Sequence, residues 1–392
     1  MKSLKWLPTL ALKVLVRFLY SSMCVLFPVK NKKVSFASYR SDRLSGNLYY
    51  VHHELVKQKE EYEIQYLFKK FNPSPFGKVL YMFHIIRNIY HLATSAYVFL
   101  DDFYFPLYLI KLRKGTTVVQ LWHAAGAFKK FGYSTLGKPF GPSEEYLKHV
   151  KIHSNYSYAV VSSSEVIPHF AEAFNMPRNQ ILPLGIPRTD YLLDEKNYIK
   201  AKEKLYKKYP HLKEKKIILY APTFRGKSHQ RSEFETLLNF EQLKLALHPD
   251  YALVIKLHPY MDQSIQVVDD KFIYQLDPEF NTEEILLISD ILISDYSSII
   301  FDYSLLGRPI AFFANDLSEY ISERDFYYPY ETFVPGPVFS NTNDLVEWLK
   351  RGVFPTETVN QFAKKFFSYR DGKASQRIIQ TILDPNKDAL GV

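Results

Sequence analysis

Ile288–Tyr303 reads ISDILISDYSSIIFDY. A short apolar run ends in Ser294-Asp295-Tyr296-Ser297-Ser298 and passes directly into a second apolar stretch with helical spacing. A buried strand that turns on small polar residues into a helix is the building unit of a parallel α/β sheet. The same alternation extends on both sides. Lys216–Tyr220, Tyr251–Leu257, Phe272–Gln275, Asp290–Ser294 and Pro309–Phe313 are predicted strands of one sheet. Val34–Ser38, Glu63–Phe68, Ala96–Leu100, Thr117–Trp122, Tyr158–Ser162 and Gln180–Leu184 are predicted strands of another. Between the two sets, residues 192–215 are dense in lysine and glutamate, which predicts a solvated connecting helix at a domain boundary.

The chain has 392 residues, too many for one core. Hydrophobic residues make up 47% and charged residues 23%, which excludes a disordered protein. The lone Cys24 excludes an intrachain disulfide and a cysteine zinc cluster. The net charge of +9 has one source. Lys2, Lys5, Lys13, Arg17, Lys30, Lys32, Lys33 and Arg40 precede the first acid, Asp42, and removing those eight leaves 42 bases against 41 acids. A nucleic-acid binder spreads its bases over a folded face, so no nucleic-acid partner is expected.

Residues 1–30 carry their cations on about a third of a helical wheel, with Leu7, Leu12, Leu15 and Phe18 on the rest. The longest uncharged run, Phe18–Val29, falls short of the ~20 residues of a spanning helix. The expectation is an amphipathic helix lying on an anionic membrane surface, aided by Lys30, Lys32 and Lys33; an ordinary helix packed on the protein is the alternative.

Ligands of parallel sheets bind at the carboxyl ends of strands. Five strand ends carry suitable chemistry: Gln120–Gly126 with His123, Leu184–Asp190 with Arg188, Tyr220–Arg225 with Thr223 and Arg225, Lys256–Pro259 with His258, and Ser294–Ser298. Asp295, Ser297 and Ser298 at a helix start offer free N–H groups, hydroxyls and a dipole end suited to phosphate, although Asp295 or Ser297 would serve equally as a plain cap. His258, fixed by Pro259, is aimed at the same edge, and Arg225 and Lys256 supply fixed charge or surface ion pairs. His123 is a natural general base. Asp101-Asp102 follows a strand but reads as a solvated turn, and no metal or other cofactor is expected.

Seven segments, taken in order, resemble the CDP-glycerol glycerophosphotransferase family of Gram-positive teichoic acid synthesis. They are WHAAGAFKKFG (Trp122–Gly132), LGIPRTDYL (Leu184–Leu192), ILYAPTFRG (Ile218–Gly226), KLHP (Lys256–Pro259), Ile288–Tyr303, FFANDLSEY (Phe312–Tyr320) and VPGPV (Val334–Val338). The resemblance implies a GT-B-like α/β fold, two Rossmann-type domains facing a central cleft. Residues 31–200 would form the acceptor domain and 201–392 the CDP-donor domain, behind the 1–30 membrane helix. It further implies transfer of a polyol phosphate from CDP-glycerol, or CDP-ribitol, to an undecaprenyl-diphosphate-linked acceptor at the cytoplasmic membrane face. His123 would deprotonate the acceptor hydroxyl and His258 would meet the donor pyrophosphate. Thr223, Arg225, Ser297 and Ser298 would hold the donor phosphates. Ala124-Ala125 and Phe224 depart from the His-Gly-Thr and Trp common in the family's polymerases. A GT-B glycosyltransferase using a CMP-sugar, of the polysialyltransferase kind, and a non-catalytic membrane scaffold are the competing expectations.

Overall fold

The computed structural model describes residues 6–58, 60–223, 238–257 and 271–383. The chain divides into two compact units, Met1–Asp190 with Lys373–Val392, and Tyr191–Gly372.

The first unit contains helices α1 (Leu7–Leu26), α2 (Gly46–Leu55) and α3 (Pro75–Thr94). Its strands are β1 (Lys30–Ser38), β2 (Glu63–Phe68), β3 (Ser95–Leu100), β4 (Thr117–Gln120), β5 (Tyr158–Val160) and β6 (Ile181–Leu182). They form one sheet in the order β2-β1-β3-β4-β5-β6, with every neighbouring pair parallel. Val34, Phe36, Phe99 and Val119 are fully buried, as parallel strands covered on both faces require. Leu48, Val51 and Leu55 of α2 and Ile378, Ile379 and Ile382 near the C-terminus join the same core. The chain leaves β1 for β2 on one side and returns to β3 on the other. The switch point of the sheet therefore lies between the ends of β1 and β3, where Ser38, Arg40, Asp101 and Asp102 stand.

Helix α1 lies along this unit in an orientation opposite to the expectation. Its 20 residues are long and apolar enough to cross a membrane by length and composition, although its longest uncharged run is shorter than a span. Its cations reach main-chain carbonyls of the unit: Lys13 Nζ donates to the His149 carbonyl, and Arg17, itself exposed, donates through Nε to the Leu109 carbonyl at 2.9 Å. Val16 and Tyr20 are buried between them. The apolar side is left outward, with Phe18 67% exposed and Val14, Val25 and Leu26 beside it. Leu109 and His149 are the last residues of two short helices, whose terminal carbonyls are acceptors for cations, so the basic stripe docks there. The lysines after α1 are also engaged. Lys30 and Lys32 pair with Glu63 and Glu60, and fully buried Lys33 donates to Thr94 Oγ1 at 2.7 Å. Neighbouring α3 starts on Ser74, whose hydroxyl accepts the Gly77 N–H, and it also leaves an apolar row exposed at Phe76, Val79, Leu80 and Phe83.

The second unit holds β7 (Lys216–Ala221), β8 (Tyr251–Ile255), β9 (Ile273–Tyr274), β10 (Ile291–Ser294), β11 (Ile310–Phe313) and β12 (Val338–Phe339). The order is β12-β11-β10-β7-β8-β9, all parallel, with the switch point between β7 and β10. Ile218, Leu253, Ile293 and Ala311 meet Leu243, Leu345 and Leu349 of the flanking helices in its core. The two-residue edge strand β12 has no apolar run and was not anticipated. The helix Glu195–Lys208 is no free connector: Ala201 and Leu205 are buried, and Lys204 pairs with Glu284. It opens the second unit, so the division falls at residue 190 rather than 200.

The C-terminal segment, expected in the second half, returns to the first unit. The Asp190 carboxylate accepts the N–H groups of Ala374 and Ser375, both at 2.8 Å, at the start of the helix Ala374–Leu383. Arg377 Nε donates to the Leu184 carbonyl. Gly185, at φ +97°, leaves room for Ala374, since a Cβ there would stand 2.9 Å from that methyl group. Asp190→Ala removes both cap bonds and is expected to cost about 1–2 kcal/mol, read as a lowered urea midpoint with an unchanged slope.

Candidate functional site

The site in the first unit starts from the end of β4. Gln120 is fully buried, and its amide joins two strand ends: Oε1 accepts the Trp122 N–H at 2.9 Å, and Nε2 donates to the Asp102 carbonyl at 2.9 Å. Trp122 is left-handed, at φ +52°, a conformation that costs a bulky L-residue roughly 1–2 kcal/mol. Its ring offsets that cost by packing. It stacks on Phe131 at 5.1 Å and meets the edges of Phe174 and His153. Burial pushes the His153 imidazole down to about 3, so this floor stays neutral.

The main chain around the reversal is held by side chains from elsewhere in the unit. Buried Asn47 of α2 donates to the Trp122 carbonyl at 2.8 Å and accepts the Arg188 N–H at 3.1 Å. Arg188 in turn donates to the His123 carbonyl at 2.8 Å. Arg188 thus fixes the backbone of His123, and Leu184–Asp190 as a whole serves this reversal and the C-terminal helix.

The left-handed residue swings His123 away from the strand direction. Its imidazole lies against the Trp122 ring at 4.4 Å, is 37% exposed, and brings Nδ1 to 3.6 Å from Asp102 Oδ1. The expected solvated turn at Asp101-Asp102 is instead part of this site. Asp102 is buried, bonds the Phe103 N–H through Oδ1 and meets Arg40 Nε through Oδ2. Asp101 is pushed up from 3.8 to about 6, chiefly by burial, with the Ser38 hydroxyl and Arg40 opposing the shift. The signal for both residues was present: they directly follow the apolar strand Ser95–Leu100.

In the second unit the β7/β10 switch point is tied by Asp295. Its carboxylate accepts the Thr223 N–H at 2.8 Å, the Thr223 hydroxyl at 2.6 Å and the Tyr296 N–H at 2.6 Å. Ser294 Oγ adds a bond to the Ala221 carbonyl. Asp295 is therefore a clamp between strand ends rather than a helix cap, and Thr223 directs both of its donors into that clamp. Ser297 and Ser298, half-buried, open the helix Ile299–Ser304. Ser298 makes no side-chain cap bond, and Ser297 Oγ accepts the Ile299 N–H at a long 3.4 Å. Lys256 follows β8, with its ammonium pushed down by burial and Glu283 opposing. Arg225 and His258 lie outside the described residues.

A cavity of about 860 Å³ opens at the ends of β11 and β12, lined by Asn315, Asp316, Glu319, Glu331 and Ser340 among others. It borders the Asp295–Ser298 turn, because the Tyr296 hydroxyl donates to Asp316 at 2.7 Å and the Tyr296 ring stacks on Tyr320 at 3.9 Å. Its acidic lining disfavours phosphate and suits hydroxyl and amine donors.

The shift of Asp101 gives a signed expectation. With its pKa raised in the folded state, folding binds a proton between pH 3.8 and about 6, so stability is lost as pH rises through that window. Asp101→Asn should raise the thermal midpoint above pH 6 and leave it unchanged below pH 4, as followed by melting curves across the range.

Three comparisons bear on this geometry. The chain is 47% identical over 365 residues to the teichoic acid ribitol-phosphate primase of Bacillus spizizenii, covering 93% of this chain and 94% of that protein. It is 30% identical over 299 residues to the teichoic acid glycerol-phosphate primase of Bacillus subtilis, covering 76% of each. Its structure matches the wall teichoic acid polymerase TagF, in a histidine-to-asparagine variant soaked with CDPG. That match has a TM-score of 0.78 and 26% identity, and it covers 99% of this chain and 98% of the other. The two parallel sheets and this likeness agree with the expected GT-B-like α/β fold. The family model of the CDP-Glycerol:Poly(glycerophosphate) glycerophosphotransferases matches residues 19–384, and the chain belongs to that family.

Proposed function

We propose that this chain transfers a polyol phosphate from a CDP-activated donor to a hydroxyl of an undecaprenyl-diphosphate-linked acceptor in wall teichoic acid synthesis, with release of CMP. The observation that carries this reading is His123, an accessible imidazole three residues past the end of β4 with its Nδ1 turned toward a buried carboxylate. Nε2 takes the proton of the acceptor hydroxyl. The oxygen attacks the donor phosphorus that bears the polyol, the bond to the bridging oxygen breaks, and CMP departs with the electron pair. In the second unit, the turn at Ser297 and Ser298 would hold the donor phosphates, with Arg225, Lys256 and His258 supplying positive charge. Thr223 and Asp295 keep that turn in register with β7. The acidic cavity beside it is suited to the cytidine hydroxyls and amine.

The identity of 47% to a ribitol-phosphate primase, against 30% to a glycerol-phosphate primase, favours CDP-ribitol over CDP-glycerol. The lipid-linked acceptor places the enzyme at the cytoplasmic face of the membrane, and the outward apolar rows of α1 and α3 are the surfaces that would enter it. Phe18, Phe76 and Phe83 stand among the exposed apolar side chains there, with exposed Arg17, Lys78 and Arg87 on the same helices, while Lys33 is buried.

With labelled CDP-ribitol, CDP-glycerol and a short-chain lipid-disaccharide primer, CMP release should be fastest with CDP-ribitol. His123→Ala should lower turnover by about 10²-fold or more with donor affinity retained. Turnover with CMP-sialic acid alone would instead identify a glycosyltransferase. A Phe18→Asp/Phe83→Asp double variant should lose most of its co-sedimentation with anionic vesicles, whereas Lys30→Gln/Lys32→Gln should not. The reverse pattern would restore the cationic-surface view.

A further inference from the structure

We propose that Asp102 is the positioning residue of this transfer, holding the His123 imidazole through Nδ1, and that Arg40 sets how much of the carboxylate charge the imidazole feels. The inference rests on the reading of His123 as the base.

The case begins with how the two residues are brought together. Asp102 stands at the end of β3 and His123 just past the end of β4, two adjacent parallel strands. One fully buried amide, Gln120, bonds the Asp102 carbonyl and the Trp122 N–H, so the two strand ends cannot slide relative to each other. The carboxylate itself is divided. Oδ1 takes the Phe103 N–H at 2.7 Å and stands 3.6 Å from His123 Nδ1, while Oδ2 takes Arg40. Asp102 is 4% exposed, and a buried carboxylate with one N–H bond and one cation still has lone-pair capacity for a donor on the imidazole side.

That placement selects a tautomer. A carboxylate beside Nδ1 favours the proton there, which leaves the lone pair on Nε2, the ring atom a base needs. When Nε2 accepts the acceptor proton, the ring becomes cationic, and its attraction to Asp102 grows in a buried setting. The 3.6 Å separation lies slightly outside hydrogen-bond reach, so a small ring rotation would close it as the charge develops.

Arg40 works in the opposite direction. Its guanidinium, 44% exposed at the end of β1, neutralises part of the same carboxylate. It therefore keeps His123 from becoming so basic that it is protonated at neutral pH, where a base must be free. Arg188 bonds the His123 carbonyl from the far side, His153 lies neutral beneath Trp122, Asp101 titrates beside Arg40, and Lys129 and Lys130 lie further along the same loop.

The test compares His123→Ala, Asp102→Asn, Arg40→Gln and Asp101→Asn in the full chain, with kcat and KM measured from pH 5 to 9. Asp102→Asn should lower kcat by about 10²–10³-fold with KM for the donor within about threefold. Its acidic limb in the kcat/KM profile should move to lower pH, because the imidazolium has lost its counter-ion. Arg40→Gln should move that limb to higher pH, and Asp101→Asn serves as the control for any carboxyl that titrates nearby. Opposite displacements in the first two support the assignment, since generic loosening of the fold would move both in the same direction. If Asp102→Asn fails to fold, the Arg40→Gln displacement alone decides. An inactive His123→Ala together with unmoved limbs overturns this inference and leaves the base assignment standing. An active His123→Ala overturns both.

Discussion

A single buried carboxamide underlies the arrangement of the first unit. Gln120 donates to one strand end and accepts from the next, and it leaves neither of its polar ends to the core. Because the site residues follow strands β3 and β4 closely, that amide helps fix their spacing. The left-handed Trp122 is possible only on this footing. Its conformational cost is of order 1–2 kcal/mol and is outweighed by an aromatic floor of Phe131, Phe174 and His153, each ring within 6 Å. The result is an imidazole presented just past a strand end, on a loop whose backbone is held by buried side chains.

The second unit solves the corresponding problem with charge. Asp295 gathers an N–H and a hydroxyl from Thr223 and an N–H from Tyr296, so β7 and β10 end in one knot. The phosphate-like turn expected at Ser294–Ser298 therefore draws its rigidity from its acid, and its hydroxyl character from Ser297 and Ser298.

Much of the fold was legible because parallel strands buried on both faces are near-continuous apolar runs. Eleven of the twelve strands stand where such runs occur, and the twelfth, β12, is two residues long and half-exposed. His123 was legible because a polar ring directly after an apolar strand is out of place. Asp102 obeys the same rule but was set aside because paired acids also occur in turns, and its burial depends on Arg40 and Gln120, which lie far off in sequence. Helix α1 was misjudged for a related reason. A helical wheel shows which residues share a face but not what lies opposite, and here carbonyls of the same unit lie opposite the cations. The role of Asp190 was equally hidden, since its partners are more than 180 residues away.

That last tie has a consequence for synthesis on the ribosome. The first sheet emerges early, but the helix covering part of its face, and the N–H groups that Asp190 holds, belong to residues 374–383. The second unit, by contrast, is encoded without interruption between residues 191 and 372. Its core can close while the earlier one still shows bare apolar side chains of β1 and β4, so the part made first is the part finished last.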